Sequence, residues 1–383
     1  MQDPHYFFAQ NKIFMNVLFI NSVCGTGSTG KITGELAENY AREGHHVKIA
    51  YGRSDYVPER FKKFAVKIGS KSDLYFHALL TRLTDRHGFY STRATKNFLK
   101  WADNFNPNIL WLHNIHGYYI NIELLFNWIK SRENLKVFWT LHDCWSFTGH
   151  CAYFTMINCD KWMTHCENCP QKNSYPSSFA DSSYKNFADK KKLFTGVKDL
   201  TIITPSKWLA GLVKKSFLHD YPVEVRYNTI DTNIFRPTPG NFREKYNLQD
   251  KKIILGVASI WEKRKGLDDF IKLAEILDPS KFVIVLVGLK PSQIKNLPAN
   301  IIAIQRTNNQ IELANIYTES DIFFNPSREE NYPTVNLEAE SCGTPVITYD
   351  AGGSPETIKR KDSHIIKCGD IESVKNLLED LYK

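Results

Sequence analysis

The sequence predicts an α/β protein built from two doubly wound, Rossmann-like domains facing across a cleft. Two observations carry that expectation. The first is length, because 383 residues exceed what a single hydrophobic core usually sustains. The second is that both halves repeat one grammar. Short apolar strands alternate with helical stretches, which makes parallel sheets covered by helices on both faces. In the first half, strands are expected at Val17–Asn21, Val47–Tyr51, Ile109–His113, Val137–Leu141 and Thr201–Thr204, with helices that include Gly30–Glu43 and Ile122–Arg132. In the second half they are expected at Ile253–Ala258, Phe282–Val287, Ile301–Ile304, Asp321–Asn325 and Val346–Tyr349.

Residues 1–14 read as an extension or an upstream start, since Met15 opens the first natural strand. An N-terminal domain follows over 15–227, carrying a cysteine-rich insertion at 144–170. The Pro/Gly-bearing stretch 228–240 reads as a linker, and 241–383 form the C-terminal domain. The N-terminus lacks a signal peptide's basic start and apolar block. No apolar run is long enough to span a bilayer; Phe282–Val287 is at most a buried strand. The cytoplasm is the expected compartment.

The charge is unevenly placed. Residues 1–200 carry 25 Lys/Arg against 17 Asp/Glu, a balance of +8, whereas residues 201–383 carry 24 of each. Residues 60–100 mix cations with aromatics, including Phe61, Phe64, Lys67, Lys71, Arg82 and Arg93. Such a surface suits anionic lipid headgroups or a lipid diphosphate, and it would also suit nucleic acid. A solvated helical face is an equal reading of the same pattern.

Ligands of doubly wound sheets bind beyond the carboxyl ends of the strands, so the segments following each strand are where chemistry is sought. After the first strand, Gly25-x-Gly27-Ser28-x-Gly30 opens a helix, with glycines for close backbone approach and a helix start that attracts negative charge. Its spacing matches a dinucleotide fingerprint, but Arg53 and not an acid leads the loop after the second strand, which counts against NAD. His113 and His116 follow the third strand, and His142-Asp143 the fourth. Asp143 is expected to orient His142 or raise its pKa. Ser259 through Gly266, with Arg264 and Lys265, follow the first strand of the second half. Gly352-Gly353, before a less telling Glu356, follow the last confident strand.

Five of the eight cysteines fall within residues 144–169. Cys166-x-x-Cys169 has zinc-knuckle spacing, and Cys151 with Cys159 would complete a tetrahedral structural Zn²⁺ site; His150 or His165 could substitute. Unligated thiols are the other reading. A catalytic metal is not expected.

The most informative stretch is Ser327-Arg328-Glu329-Glu330-Asn331-Tyr332-Pro333, followed by Glu338 and by Cys342-Gly343-Thr344-Pro345-Val346. It reads as a loop feeding a helix that begins at Pro333-Thr334-Val335, where unpaired N–H groups favour an anion. Gly343 is placed to end the helix.

Glu330, seven residues, then Glu338, with Pro-Ser upstream and Cys-Gly-Thr-Pro-Val-Ile downstream, resembles the retaining glycosyltransferases of family GT4. The resemblance runs from Met15 to about Asp370 and looks closest to the branch found in bacterial capsule and O-antigen gene clusters. It implies the GT-B fold, with a nucleotide-diphosphate-sugar donor (UDP or GDP) and no cofactor required for catalysis. The acceptor it implies is a saccharide, expected to be lipid-diphosphate-linked, with peripheral contact at the cytoplasmic face of the inner membrane. It places Glu330 near the donor sugar, Glu338 on the ribose and His142 close to the transferred sugar. Lys265 falls on the donor diphosphate. Ile260 stands where the family commonly has an Arg, and Arg264 is expected to supply that charge from a shifted position. Gly25, Gly27, Ser28, Ser259, Tyr332, Pro333, Thr334, Val335 and Gly353 are assigned to the donor. The competing readings are a sugar-nucleotide epimerase of the same fold, and a non-catalytic zinc-containing nucleic-acid-binding protein. Turnover without an acceptor would mark the epimerase. Salt-dependent oligonucleotide binding would mark the binding protein, although nucleic acid is not the expected partner.

Overall fold

The computed structural model describes residues 14–295 and 297–383. Most of the expected extension therefore lies outside the described residues. The first sheet contains β1 (Asn16–Asn21), β2 (His46–Tyr51), β3 (Ala65–Lys67), β4 (Ile109–Leu112), β5 (Lys136–Thr140), β6 (Leu200–Thr204) and β7 (Val223–Val225). Their order is β3-β2-β1-β4-β5-β6-β7. The second sheet contains β8 (Lys252–Val257), β9 (Phe282–Val287), β10 (Ile301–Ile304), β11 (Ile322–Asn325), β12 (Val346–Tyr349) and β13 (His364–Ile366), in the order β10-β9-β8-β11-β12-β13. The pairings from β3 across to β6, and all those of the second sheet, are parallel.

Both sheets reverse direction of growth once, between β1 and β4 and between β8 and β11. At such a switch point neighbouring loops leave in opposite directions and open a crevice at the carboxyl ends.

The ten expected strands are all present, within a residue at each end. β3, β7 and β13 are additional, each three residues long and at or near a sheet edge. A strand that short carries almost no period-2 signal. The helix expected from Gly30 begins at Gly27 and runs to Arg42, so the glycine segment forms its first turn.

The reason the strands read so clearly is burial on both faces. Along β9, Phe282, Ile284 and Leu286 enter one core cluster while Val283, Val285 and Val287 enter the other. β8 divides likewise, Ile254 to one side and Ile253 and Leu255 to the other. A fully buried side chain of this kind contributes about 1.5–3 kcal/mol, so the sheet interiors carry stability and the loops at the strand ends are left for chemistry.

The chain divides into two compact units. Of the described residues, one comprises 14–152, 160–203 and 213–224, and the other 153–159, 204–212 and those from 225 to 383. Two short segments of the expected N-terminal domain (15–227) thus belong with the unit of the second sheet. Among the described residues no helix is long and apolar enough to cross a membrane.

Candidate active site

In the C-terminal unit the loops after β8 and β11 emerge at the switch point, and they bring three expected residues together. Lys263–Lys265 form a 3₁₀ turn that ends at Gly266. There the positive φ, and the carbonyl of Pro326 only 2.4 Å from where a Cβ would sit, leave room for glycine alone. From this turn the Lys265 ammonium forms a short ion pair with Glu330 Oε1, and Arg264 Nη1 lies 3.9 Å from the same oxygen. Arg264 also donates to the Glu329 carbonyl at 3.2 Å, and its guanidinium stacks over Tyr153, 5.0 Å from the ring centroid. Ile260 is exposed to solvent, and Arg264 is the residue of this turn that lies beside Glu330 together with Lys265. Burial alone would raise the Glu330 carboxyl, but Lys265 and Arg264 hold it below the ordinary carboxylate range.

Glu329 has no role assigned to it from the sequence. It is buried, which pushes its carboxyl upward. Its Oε1 accepts from the Met156 N–H at 2.7 Å and from Thr155 Oγ1 at 3.3 Å. Tyr153, Thr155 and Met156 come from the cysteine-rich insertion, and no local pattern in the sequence signals that they join this unit.

The helix Thr334–Ser341 follows, with Pro333 at its N-cap, no side-chain cap and no acid in its first turn. Thr334 and Val335 are half-buried there, so the N-terminus is available to an anion. Glu338 lies one turn inside the helix and accepts from the Tyr317 hydroxyl at 3.2 Å. Buried Tyr332 stacks on Tyr227 with ring centroids 5.0 Å apart. Ser259 is exposed just past β8.

Gly353 has a structural reason to be glycine: a Cβ there would meet the Asn331 carbonyl at 1.9 Å. The loop after β12 is packed on the loop that carries Glu330. Glu356 accepts from the N–H groups of Lys207 and Trp208, both at 2.7 Å, and so caps the helix Lys207–Val213. Glu356→Ala should lower stability by about 1 kcal/mol, the usual worth of an N-cap, as read by denaturant unfolding.

In the N-terminal unit the loops after β4 and β5 line a small pocket. His113, His116, His142, Asp143 and Trp145 are among the residues around it. The expected pairing of Asp143 with His142 is not the one formed. Asp143 Oδ2 bonds His116 Nε2 at 3.0 Å, and its Oδ1 accepts from the Trp145 N–H at 2.9 Å. His142 Nε2 instead meets His113 Nδ1 at 3.0 Å. Burial drives His142 down to about 4, against a smaller upward pull from Asp143. The carboxylate turns to the histidine four residues beyond β4, and the His113 ring stacks on that of His142 with centroids 5.3 Å apart.

Gly25 has a positive φ, and a Cβ on it would strike the Phe61 ring at 2.2 Å, so Gly25 answers to packing. Gly27 and Ser28 are exposed at the start of Gly27–Arg42, a helix with no side-chain cap and no acid in its first turn.

Four histidines of this unit, His77, His87, His113 and His142, are held below their ordinary pKa, with burial the first cause in each. The folded state keeps them neutral while the unfolded chain takes up protons below about pH 6.5. Protons therefore bind preferentially to the unfolded state, and stability must fall as pH drops from about 6.5 toward 4. Thermal unfolding across that range should show a Tm that declines steadily, and His142→Asn should flatten part of the slope.

The family of glycosyl transferases group 1 matches residues 240–383, the unit that carries the Lys265–Glu330 pair. Residues 240–383 are a group 1 (GT4) glycosyltransferase domain. A protein assigned as the colanic acid biosynthesis glycosyl transferase WcaC of Escherichia coli K12 is 24% identical over 369 residues, 90% of this chain and 86% of that protein. Among solved structures, sucrose-phosphate synthase from Thermosynechococcus elongatus superposes with a TM-score of 0.68 at 14% identity. The match covers 96% of this chain and 89% of the synthase. Anabaena HepE in complex with UDP-glucose gives 0.63 at 14% identity, with the same coverages. The fold is GT-B, and the glycosyltransferase is a retaining, nucleotide-sugar-dependent one.

The cysteine expectation needs correcting. Among the described residues no group of three or more His, Cys, Asp or Glu side chains is arranged to hold a metal ion. The structural zinc site of Cys151, Cys159, Cys166 and Cys169 is not formed in this glycosyltransferase. The Cys151 and Cys169 thiols hydrogen-bond each other, which keeps Cys151 protonated and lowers Cys169 to about 7. Cys159 belongs with the C-terminal unit and the other three with the N-terminal one.

Proposed function

We propose that this glycosyltransferase moves a sugar from a UDP-linked donor onto a saccharide carried by a lipid diphosphate, during assembly of a bacterial surface polysaccharide. The observation that carries the reading is the Arg264–Lys265–Glu330 cluster at the β8/β11 switch point. The likeness to WcaC supports the pathway, and the UDP-glucose held by HepE supports the donor. The N-terminal unit takes the acceptor, with His142 and His116 at its pocket. The enzyme works in the cytoplasm against the inner face of the membrane.

In the reaction, the bond between the anomeric carbon and the donor's β-phosphate oxygen breaks. Positive charge builds on the sugar and negative charge on the leaving diphosphate. Lys265 and Arg264 neutralise the diphosphate, helped by the open N-terminus of Thr334–Ser341. Glu338 accepts from the ribose hydroxyls, and Glu330 sits beside the sugar. The acceptor hydroxyl attacks from the face the diphosphate leaves, and its proton passes to the departing phosphate oxygen.

A thermal-shift screen with UDP-, GDP- and TDP-sugars, followed by mass spectrometry of transfer to lipid-linked saccharides, tests this. UDP-sugars should raise the Tm, and mass should appear on the acceptor. Epimerised sugar formed without any acceptor would overturn the reading.

A further inference from the structure

The helix Lys71–Thr84 presents its apolar side to solvent. Tyr75 is 69% exposed, Phe76 61%, Leu79 55% and Leu83 52%. At 3.6 residues per turn these four share one arc with Lys71, Ser72 and Arg82, whereas His77 and Thr81 on the opposite side are fully buried. The usual amphipathic order, polar outward and apolar inward, is reversed. The helix is well anchored in this orientation. A capping box joins Ser70 and Asp73 at its start, and His77 Nδ1 meets Ser91 Oγ at 2.8 Å.

Both ends of the patch continue it. At one end Lys71 pairs with Asp55 at 2.6 Å, beside Tyr56, which is itself exposed. At the other the Arg82 guanidinium stacks over exposed Phe179, 4.8 Å from the ring centroid, and the Phe179 N–H donates to the Arg82 carbonyl. Around the patch Lys67, Lys71, Arg82 and Arg93 outnumber Asp55 and Asp73, the two acids that the pairings place there.

We propose that this face is a docking surface for an anionic bilayer, with Tyr75, Phe76, Leu79 and Leu83 entering the headgroup–acyl boundary and the cations meeting lipid phosphates. Two features favour a membrane over a second copy of the chain. The cations rim the apolar arc, which is the arrangement an interfacial helix uses. The unit's excess positive charge would also be brought against itself in a self-association. The inference deepens the reading of a lipid-linked acceptor, and it predicts where that acceptor is met: burial raises the pKa of the Tyr118 hydroxyl, at the end of the β4 loop, and Arg82 lies close enough to offset part of that rise.

Co-sedimentation with phosphatidylglycerol-containing and pure phosphatidylcholine vesicles tests it. The wild type should pellet with the anionic vesicles at low salt, and should bind neutral ones at least about 10-fold less. The combined variant Tyr75→Ser, Phe76→Ser, Leu79→Ser, Leu83→Ser should lose at least about 10-fold of that binding with an unchanged Tm. Equal binding by variant and wild type would overturn the proposal, as would no binding by the wild type. A wild-type dimer that the variant dissolves, without vesicle binding, would assign the face to a second copy instead. UDP titration of both proteins separates the two readings, since loss of UDP binding in the wild type would strike the donor site and leave the vesicle result standing.

Discussion

Lys265→Ala is expected to lower kcat for transfer by about 10²–10³-fold, the usual consequence of removing one charge-stabilising donor from a developing anion. The diphosphate gains charge only as the anomeric bond opens, so the ammonium acts more on the transition state than on the bound donor. The loss should therefore fall on kcat more than on KM, in initial rates measured with saturating UDP-sugar. Lys265→Arg should recover only part, because the planar guanidinium needs a different approach from the compact ammonium. An unchanged kcat would remove Lys265 from the reaction.

The same substitution takes a partner from Glu330, which is largely buried and keeps Arg264 at 3.9 Å and a backbone hydrogen bond from Asn331. Glu330 has its carboxyl depressed in the folded state. Its contribution to stability is thus present above the unfolded carboxylate pKa and lost as pH falls through the folded value. Lys265→Ala should cost about 1–3 kcal/mol at neutral pH, with a smaller loss on acidification than the wild type shows.

Glu330→Gln is expected to reduce transfer at least about 10²-fold while the donor binds as well or better. Gln keeps the size of the side chain and a hydrogen-bonding oxygen but removes the charge beside the sugar. With the carboxylate gone, Lys265 loses its ion-pair partner and Arg264 keeps Glu262 at 3.4 Å, which frees positive charge to meet a diphosphate. Isothermal titration with UDP should show equal or tighter binding, alongside single-turnover rates that collapse. Weakened UDP binding with normal turnover would contradict the proposed role. Transfer at the wild-type rate would dismiss Glu330 from the site altogether.

Which parts of this enzyme were legible in advance follows from how far each feature reaches along the chain. Phe282–Val287 and Val346–Tyr349 are visible as strands because parallel strands covered on both faces are continuous apolar runs. Ala65–Lys67, Val223–Val225 and His364–Ile366 are not, since an edge strand of three residues is set by its neighbour's open hydrogen bonds. Glu330, Glu338 and Lys265 stand out by their places after strands, and the switch point then brings Lys265 onto Glu330.

Hydrogen-bond partners are another matter. Adjacency in sequence suggested Asp143 for His142, yet Asp143 bonds His116 and His142 bonds His113. Nothing near Tyr153 announces that it will lie under Arg264. The spacing of four cysteines suggested a metal, while the folded chain hydrogen-bonds the free thiols of Cys151 and Cys169 to each other and sets Cys159 in the other unit.

The positions of ten strands, the loops that follow them and the charged residues available there were determined by the sequence alone, because apolar periodicity and turn residues act over a few positions. Tertiary structure decided which charges meet, which glycines packing requires, and which helix turns its apolar side outward. Those outcomes depend on contacts between residues tens to hundreds of positions apart, where local propensity has no influence.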